Sequence, residues 1–145
     1  IGEFFKGPGL TVAREDELIT AVVIRVPEGC AGAGYLNLGV RKAQDCNIVN
    51  VASFLELDER AETIRAARVA LGSVGPTPLR SPSAEAVLIG QKPTEALFEL
   101  AADAARRDCS PILDFRGSAE YRRDMVGVLT RRTLAMALSE ARSRN

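Results

Sequence analysis

Four groups of residues in this chain have types and spacings that could do chemistry. The run Gly29-Cys30-Ala31-Gly32-Ala33-Gly34 invites a phosphate-loop reading. It has neither the G-x-G-x-x-G nor the Walker spacing, and the residues after it read as a strand. Without a helix N-terminus there is little to hold a phosphate, so the run is read as a flexible hairpin connection. Asp114, Arg116, Glu120, Arg122 and Arg123 gather around Gly117-Ser118. Arginine forks pair with carboxylates or phosphates, so the cluster could be an anion site or a subunit contact. The commoner use of such a cluster is a salt-bridged start to a helix, here with Tyr121 packed inward. Arg41, Lys42 and Asp45 read as a solvated turn. Cys30, Cys46 and Cys109 are far apart, without C-x-x-C spacing, and read as free thiols that fill core space.

What is missing narrows the chemistry further. The chain has no histidine, which removes the usual general base and the commonest metal ligand. It has no tryptophan, two tyrosines and five phenylalanines to stack a ring or fill a pocket. No nucleophile sits beside a base, so no catalytic residue and no metal ligand is assigned. Lysine plus arginine equals aspartate plus glutamate at 19 each, so no net field would recruit nucleic acid or an anionic membrane. No apolar run reaches membrane-span length and no signal peptide is recognised, so a reducing, cytoplasmic location is expected. With 145 residues, 46% hydrophobic and 26% charged, the chain suits one soluble domain with a real core.

The elements that must position these groups follow from periodicity. Val22, Ile24 and Val26 alternate with Val23 and Arg25, predicting a strand over 21–26 ended by Pro27. After the glycine-rich turn a second strand is expected over 35–41. Ile48 to Leu57 is the clearest strand, with Val49, Val51, Leu55 and Leu57 on one face and Asn50 and Glu56 on the other. A polar turn over 58–62 returns the chain to a strand over 64–71, with Ala67, Val69 and Leu71 sharing a face, giving an antiparallel hairpin. The breaker-rich stretch over 75–82 then changes the period to helical. Ser81-Pro82 starts a helix to about Ile89. Thr94 precedes a helix with the stripe Leu97, Leu100, Ala101 and Ala104, and Ser118 starts a long one with Tyr121, Met125, Leu129 and Met136 on one side. The fold class is α+β, an antiparallel sheet of three to four strands followed by three helices packed on one face.

In this order the segments resemble a known family. Phe4-Phe5-Lys6-Gly7-Pro8-Gly9-Leu10-Thr11, then Asp16-Glu17-Leu18-Ile19 and a strand ending at Pro27, resemble the linker leaving the FAD-binding domain of molybdenum hydroxylase medium subunits. Tyr35 to Asp45 followed by Ile48 to Ala52 resembles the opening hairpin of that subunit's C-terminal domain. Ala66 to Gly72 with Pro76, Pro78 and Arg80 resembles its sheet-to-helix crossing, and Asp114 to Arg122 the start of its last helix. The resemblance covers essentially the whole chain. It divides the chain into residues 1–27, the linker and first strand, and 28–145, the domain proper, similar to the C-terminal domain of CO dehydrogenase flavoproteins.

The resemblance implies an electron-transfer role in the group that includes CO dehydrogenase and xanthine dehydrogenase. In that family a large subunit oxidises substrate at a molybdenum cofactor, and a small iron–sulfur subunit passes electrons through 2Fe–2S clusters. The FAD of the medium subunit hands them to an external acceptor. The implied partners are an N-terminal FAD-binding domain, the large molybdenum subunit and the small iron–sulfur subunit, with no nucleic acid. The family's C-terminal domain borders the flavin at two positions. One is the apolar residue after the Asp-Glu pair, here Ile19, which would pack on the ring. The other is commonly lysine and is here Asn37, which offers neutral hydrogen bonds where lysine would place a positive charge favouring the reduced anion. The rival reading is a non-redox interaction or assembly module that kept the scaffold and lost the cofactor.

Overall fold

Two nine-residue runs of alternating apolar residues form the centre of the sheet. The computed structural model describes residues 2–27, 29–41 and 45–144, and in it these runs are β4 (Val49–Leu57) and β5 (Ile64–Gly72). They pair antiparallel with Val51 opposite Leu71 and Ser53 opposite Val69. Every second residue of β4, from Val49 to Leu57, is buried, as the period-two pattern requires. β3 (Ala31–Leu38) pairs on the other side of β4, and β6 (Leu79–Arg80) closes the far edge, giving the order β3-β4-β5-β6. A short hairpin, β1 (Phe5–Gly7) with β2 (Leu10–Thr11), stands apart.

The helices α1 (Pro82–Leu88), α2 (Glu95–Asp108) and α3 (Ala119–Ser143) follow the sheet as expected. α3 lies along β3 and β4, α1 beside β5, and α2 packs chiefly on α1 and α3. Leu55, Ile64, Leu71, Leu88 and Leu134 are fully buried between these layers. Each such side chain contributes about 1.5–3 kcal/mol relative to staying in water. One polar pair crosses the core: the Ser53 and Thr133 hydroxyls are 2.7 Å apart, and the Thr133 hydroxyl is also within 2.9 Å of the Leu129 carbonyl. Neither hydroxyl is left without a partner, so the pair is tolerated in an apolar layer.

Several expectations are corrected. Gly32 and Gly34 lie within β3, not in a flexible turn, and β3 ends at Leu38. A Cβ on Gly32 would collide with the backbone of α3 at Ala137 and Ala141, and one on Gly34 with the Thr133 carbonyl. These glycines exist so that α3 can cross directly on the strand. The segment over 21–26 is not a strand and belongs to neither sheet. On α2 the inward residues are Phe98, Ala101, Ala102, Ala104 and Ala105, while Leu100 faces solvent. Small alanines let α2 approach its neighbours closely, and that selects the buried stripe. On α3 Leu129 is buried, but Tyr121 and Met136 are exposed, because Arg122 takes the inward position.

Helix starts follow the sequence signals in two cases of three. Thr94 accepts the Leu97 N–H at 3.2 Å and Ser118 accepts the Tyr121 N–H at 3.1 Å. Ser81 occupies the N-cap position of α1, but its hydroxyl donates to Asp108 at 2.7 Å. Asp108 also accepts from the Ser83 backbone and hydroxyl, tying the start of α1 to the end of α2.

Candidate functional site

With its helix-facing side covered, the sheet presents its other side, and Asn37 lies there. The register puts Ala33, Tyr35 and Asn37 of β3 on this side, opposite Phe54, Ala52 and Asn50 of β4. Arg68, Ala70 and Gly72 of β5 and Arg80 of β6 continue the same rows. Asn37 is exposed, and its Nδ2 donates to Asn47 Oδ1 at 2.9 Å. That bond sets the plane of the carboxamide, leaving one amide hydrogen and the carbonyl oxygen for a ligand. Asn50, directly opposite Asn37, reaches toward the Ser73 hydroxyl at 3.5 Å over Gly72. This end of the open face is a strip of neutral amides.

Ile19 stands on a different element. It lies in the segment before β3, and 61% of it is exposed. From Leu18 to Pro27 no residue has a hydrogen-bond partner among the described residues. No hydrogen bond or shared core packing joins Ile19 to Asn37, so the chain displays the two positions separately. Of the solvated turn, Asp45 accepts the Arg41 backbone N–H at 3.0 Å, while Lys42 lies outside the described residues. Among the cysteines, Cys109 is buried and Cys46 exposed, and burial pushes the Cys109 thiol up. That leaves it a poor nucleophile.

Farther along the open face lie two hollows. The smaller, about 400 Å³, is lined by Tyr35, Ala52, Phe54, Arg68, Ala70 and Arg80. The Arg68 guanidinium sits over the Phe54 ring, 5.9 Å from its centroid. Arg80 is held by a fork of bonds to Glu85 at 2.6 and 2.7 Å. The larger, about 890 Å³, runs beside it, with Val26 and Pro27 of the segment before β3 forming one wall. Nothing along these hollows pairs a nucleophile with a base. The face can bind and position.

The charged cluster before α3 is a structural joint. Arg122 is buried and donates to the carbonyls of Ile48 at 3.2 Å, Ile112 at 2.8 Å and Ser73, and to Asp114 at 3.3 Å. Asp114 also accepts the Arg116 backbone N–H at 2.9 Å. That bond, with the charges of Arg116 and Arg122, holds the Asp114 carboxyl below the usual range. Tyr121 points outward, contrary to expectation. Asn47 was not singled out by the sequence, and no motif marks it; only its place beside the Asn37 strand could have drawn notice.

The comparisons agree with this architecture. The CO dehydrogenase flavoprotein C-terminal domain matches residues 35–137. The carbon monoxide dehydrogenase medium chain of Hydrogenophaga pseudoflava is 34% identical over 135 residues, 92% of this chain and 46% of that protein. The nicotine 6-hydroxylase medium subunit of Paenarthrobacter nicotinovorans is 37% identical over 136 residues, 93% of this chain and again 46% of the relative. Among solved structures, carbon monoxide dehydrogenase from Hydrogenophaga pseudoflava, in a form lacking the Mo-pyranopterin moiety of its molybdenum cofactor, superposes with a TM-score of 0.88 at 32% identity. That match covers 96% of this chain and 47% of the other. The chain thus spans about half the length of the relatives it matches. The sheet order, the three following helices and these matches together make the chain a member of the CO dehydrogenase flavoprotein C-terminal domain family.

Proposed function

We propose that this domain is the C-terminal part of the FAD-carrying medium subunit of a molybdenum hydroxylase, where it helps to position the flavin. The observation that carries the reading is the pattern of matches. Medium chains and subunits align with nearly all of this chain, while it spans 46% of each of the two described above. In this reading residues 1–27 lead out of the FAD-binding domain and residues 28–145 form the domain proper. Iron–sulfur and molybdenum centres belong to the small and large partner subunits.

The residues present suit the edge and face of a flavin ring. Ile19 offers an exposed aliphatic surface, and Asn37 a carboxamide held by Asn47 with one donor and one acceptor to spare. When bound, the flavin would accept electrons from the iron–sulfur centres and release them to an external acceptor. The work of this chain is confined to covering the ring with Ile19 and hydrogen-bonding at its edge with Asn37. The neutral carboxamide of Asn37 itself brings no charge to the reduced ring.

Flavin titration with and without the FAD-binding polypeptide tests the proposal. The expected result is one FAD per assembled pair and no stoichiometric FAD on this chain alone. A tight stoichiometric FAD complex of the chain by itself, or an assembled pair that holds none, would overturn it.

A further inference from the structure

Asn50 stands directly opposite Asn37 in the β3–β4 register and directly opposite Gly72 in the β4–β5 register. A Cβ on Gly72 would fall on the Asn50 carboxamide, so the missing side chain of β5 leaves the floor on which that carboxamide lies. Beyond it, the Asn50 Nδ2 donates to the Ser73 hydroxyl at 3.5 Å. Ser73 is fixed through its backbone. Its φ is 63°, a left-handed value that serine adopts only at a cost, and the buried Arg122 guanidinium donates to its carbonyl. Asn50 keeps one amide hydrogen and its carbonyl oxygen without a side-chain partner among the described residues. We infer that Asn50 is a second contact to the ring edge of the flavin, and that Ser73 is the residue that positions it.

Chemistry and spacing select that edge of the ring. The pyrimidine end of a flavin alternates carbonyl, N–H and carbonyl, and a carboxamide offers the matching donor and acceptor side by side. Adjacent strands set Asn37 and Asn50 about 4.8 Å apart. Two neutral carboxamides therefore stand abreast, one held by Asn47 and the other by Ser73. With Gly72 next in the row, the strip is flat and polar across three strands, unlike the hollow farther along with its arginines and aromatic rings. The inference rests on the function proposed above and extends the contact at the ring edge from Asn37 to Asn50. It also gives the Arg122 joint a reach beyond stability, since the guanidinium that ties α3 to the sheet fixes the residue that orients Asn50.

FAD titration and infrared spectroscopy of the bound flavin test it, on this chain assembled with the flavin-binding polypeptide and on the variants Asn50→Ala and Ser73→Gly. Asn50→Ala removes the contact. It should weaken FAD binding about fivefold or more, the loss of one hydrogen bond, and move a pyrimidine carbonyl stretch of the flavin to higher frequency. Ser73→Gly removes only the positioning hydroxyl, and glycine suits the left-handed backbone. Its urea midpoint should therefore hold or rise while FAD binding weakens and the same carbonyl band broadens. Unchanged affinity and unchanged carbonyl bands in an FAD-loaded Asn50→Ala assembly would overturn the inference and leave the proposed function standing. A parent assembly that holds no FAD would overturn both. A Ser73→Gly assembly that matches the parent while Asn50→Ala does not would uphold the contact and overturn the positioning role of Ser73.

Discussion

Arg122 and Asp114 are joined inside the molecule, with Nη1 of the arginine 3.3 Å from Oδ2 of the aspartate. The same guanidinium satisfies the carbonyls of Ile48, Ile112 and Ser73, so one side chain ties the start of β4, the end of β5 and the loop before α3 to that helix. Truncation would strip partners from three carbonyls and a carboxylate together. Arg122→Met is expected to cost about 3–5 kcal/mol, the range for breaking a buried ion pair by removing one member. Arg122→Lys should recover part of this, because an ammonium cannot reproduce the fork. Urea midpoints of the three proteins check both statements.

Asp114 gives the joint a pH dependence of definite sign. Its folded carboxyl is held below the ordinary value, chiefly by the Arg116 N–H and then by the two arginine charges. A depressed folded value means that the unfolded chain takes up the proton first as acid is added. The stabilisation is therefore complete above about pH 3.9, the unfolded value, and is lost as pH falls through the lower folded value. Asp114→Asn should lower the urea midpoint at neutral pH. The gap from the parent protein should close as pH falls below about 3.9. A gap independent of pH would mean that the carboxylate charge plays no part.

Gly34 tests the seating of α3 on β3. The Thr133 carbonyl occupies the place a Cβ would take, and neighbouring Ser53 and Thr133 form the buried hydroxyl pair. Gly34→Val must push helix from strand, at an expected cost of at least about 2 kcal/mol from overpacking. Gly29→Ala meets no side chain or backbone, although its positive φ adds modest strain. Thermal unfolding of the two variants should separate them clearly.

The same glycines mark where sequence patterning stops being informative. Alternation over Val49–Leu57 and Ile64–Gly72 was readable because each strand buries one face, which writes a period of two into the residues. β3 has no such pattern at its start, since close contact with a helix demands the absence of a side chain, which looks the same as turn flexibility. Val22 to Val26 carry a strand pattern but belong to no strand among the described residues. Tyr121 and Arg122 were exchanged because a buried arginine bonded to three carbonyls leaves no hydrophobic signal. Asn37 could be proposed only through resemblance, and Asn47 could not be found at all, since its role is a contact between residues ten apart across a turn.

If Asn37 stands where, as the resemblance implies, the family commonly has lysine beside the flavin, the consequence is a potential. Lysine at the position would put a positive charge beside the ring and stabilise its reduced anion, whereas the carboxamide held by Asn47 contributes no net charge. If Asn37 borders the flavin, Asn37→Lys should raise the midpoint potential in the assembled subunit. A partly solvated charge of this kind contributes on the order of 1 kcal/mol, about 20 mV for a two-electron couple. Asn47→Ala frees the carboxamide without adding charge, so it should alter flavin binding more than potential. Redox titration of the flavin in the three assemblies distinguishes the effects. An unchanged potential in Asn37→Lys would place the flavin beyond electrostatic reach of Asn37.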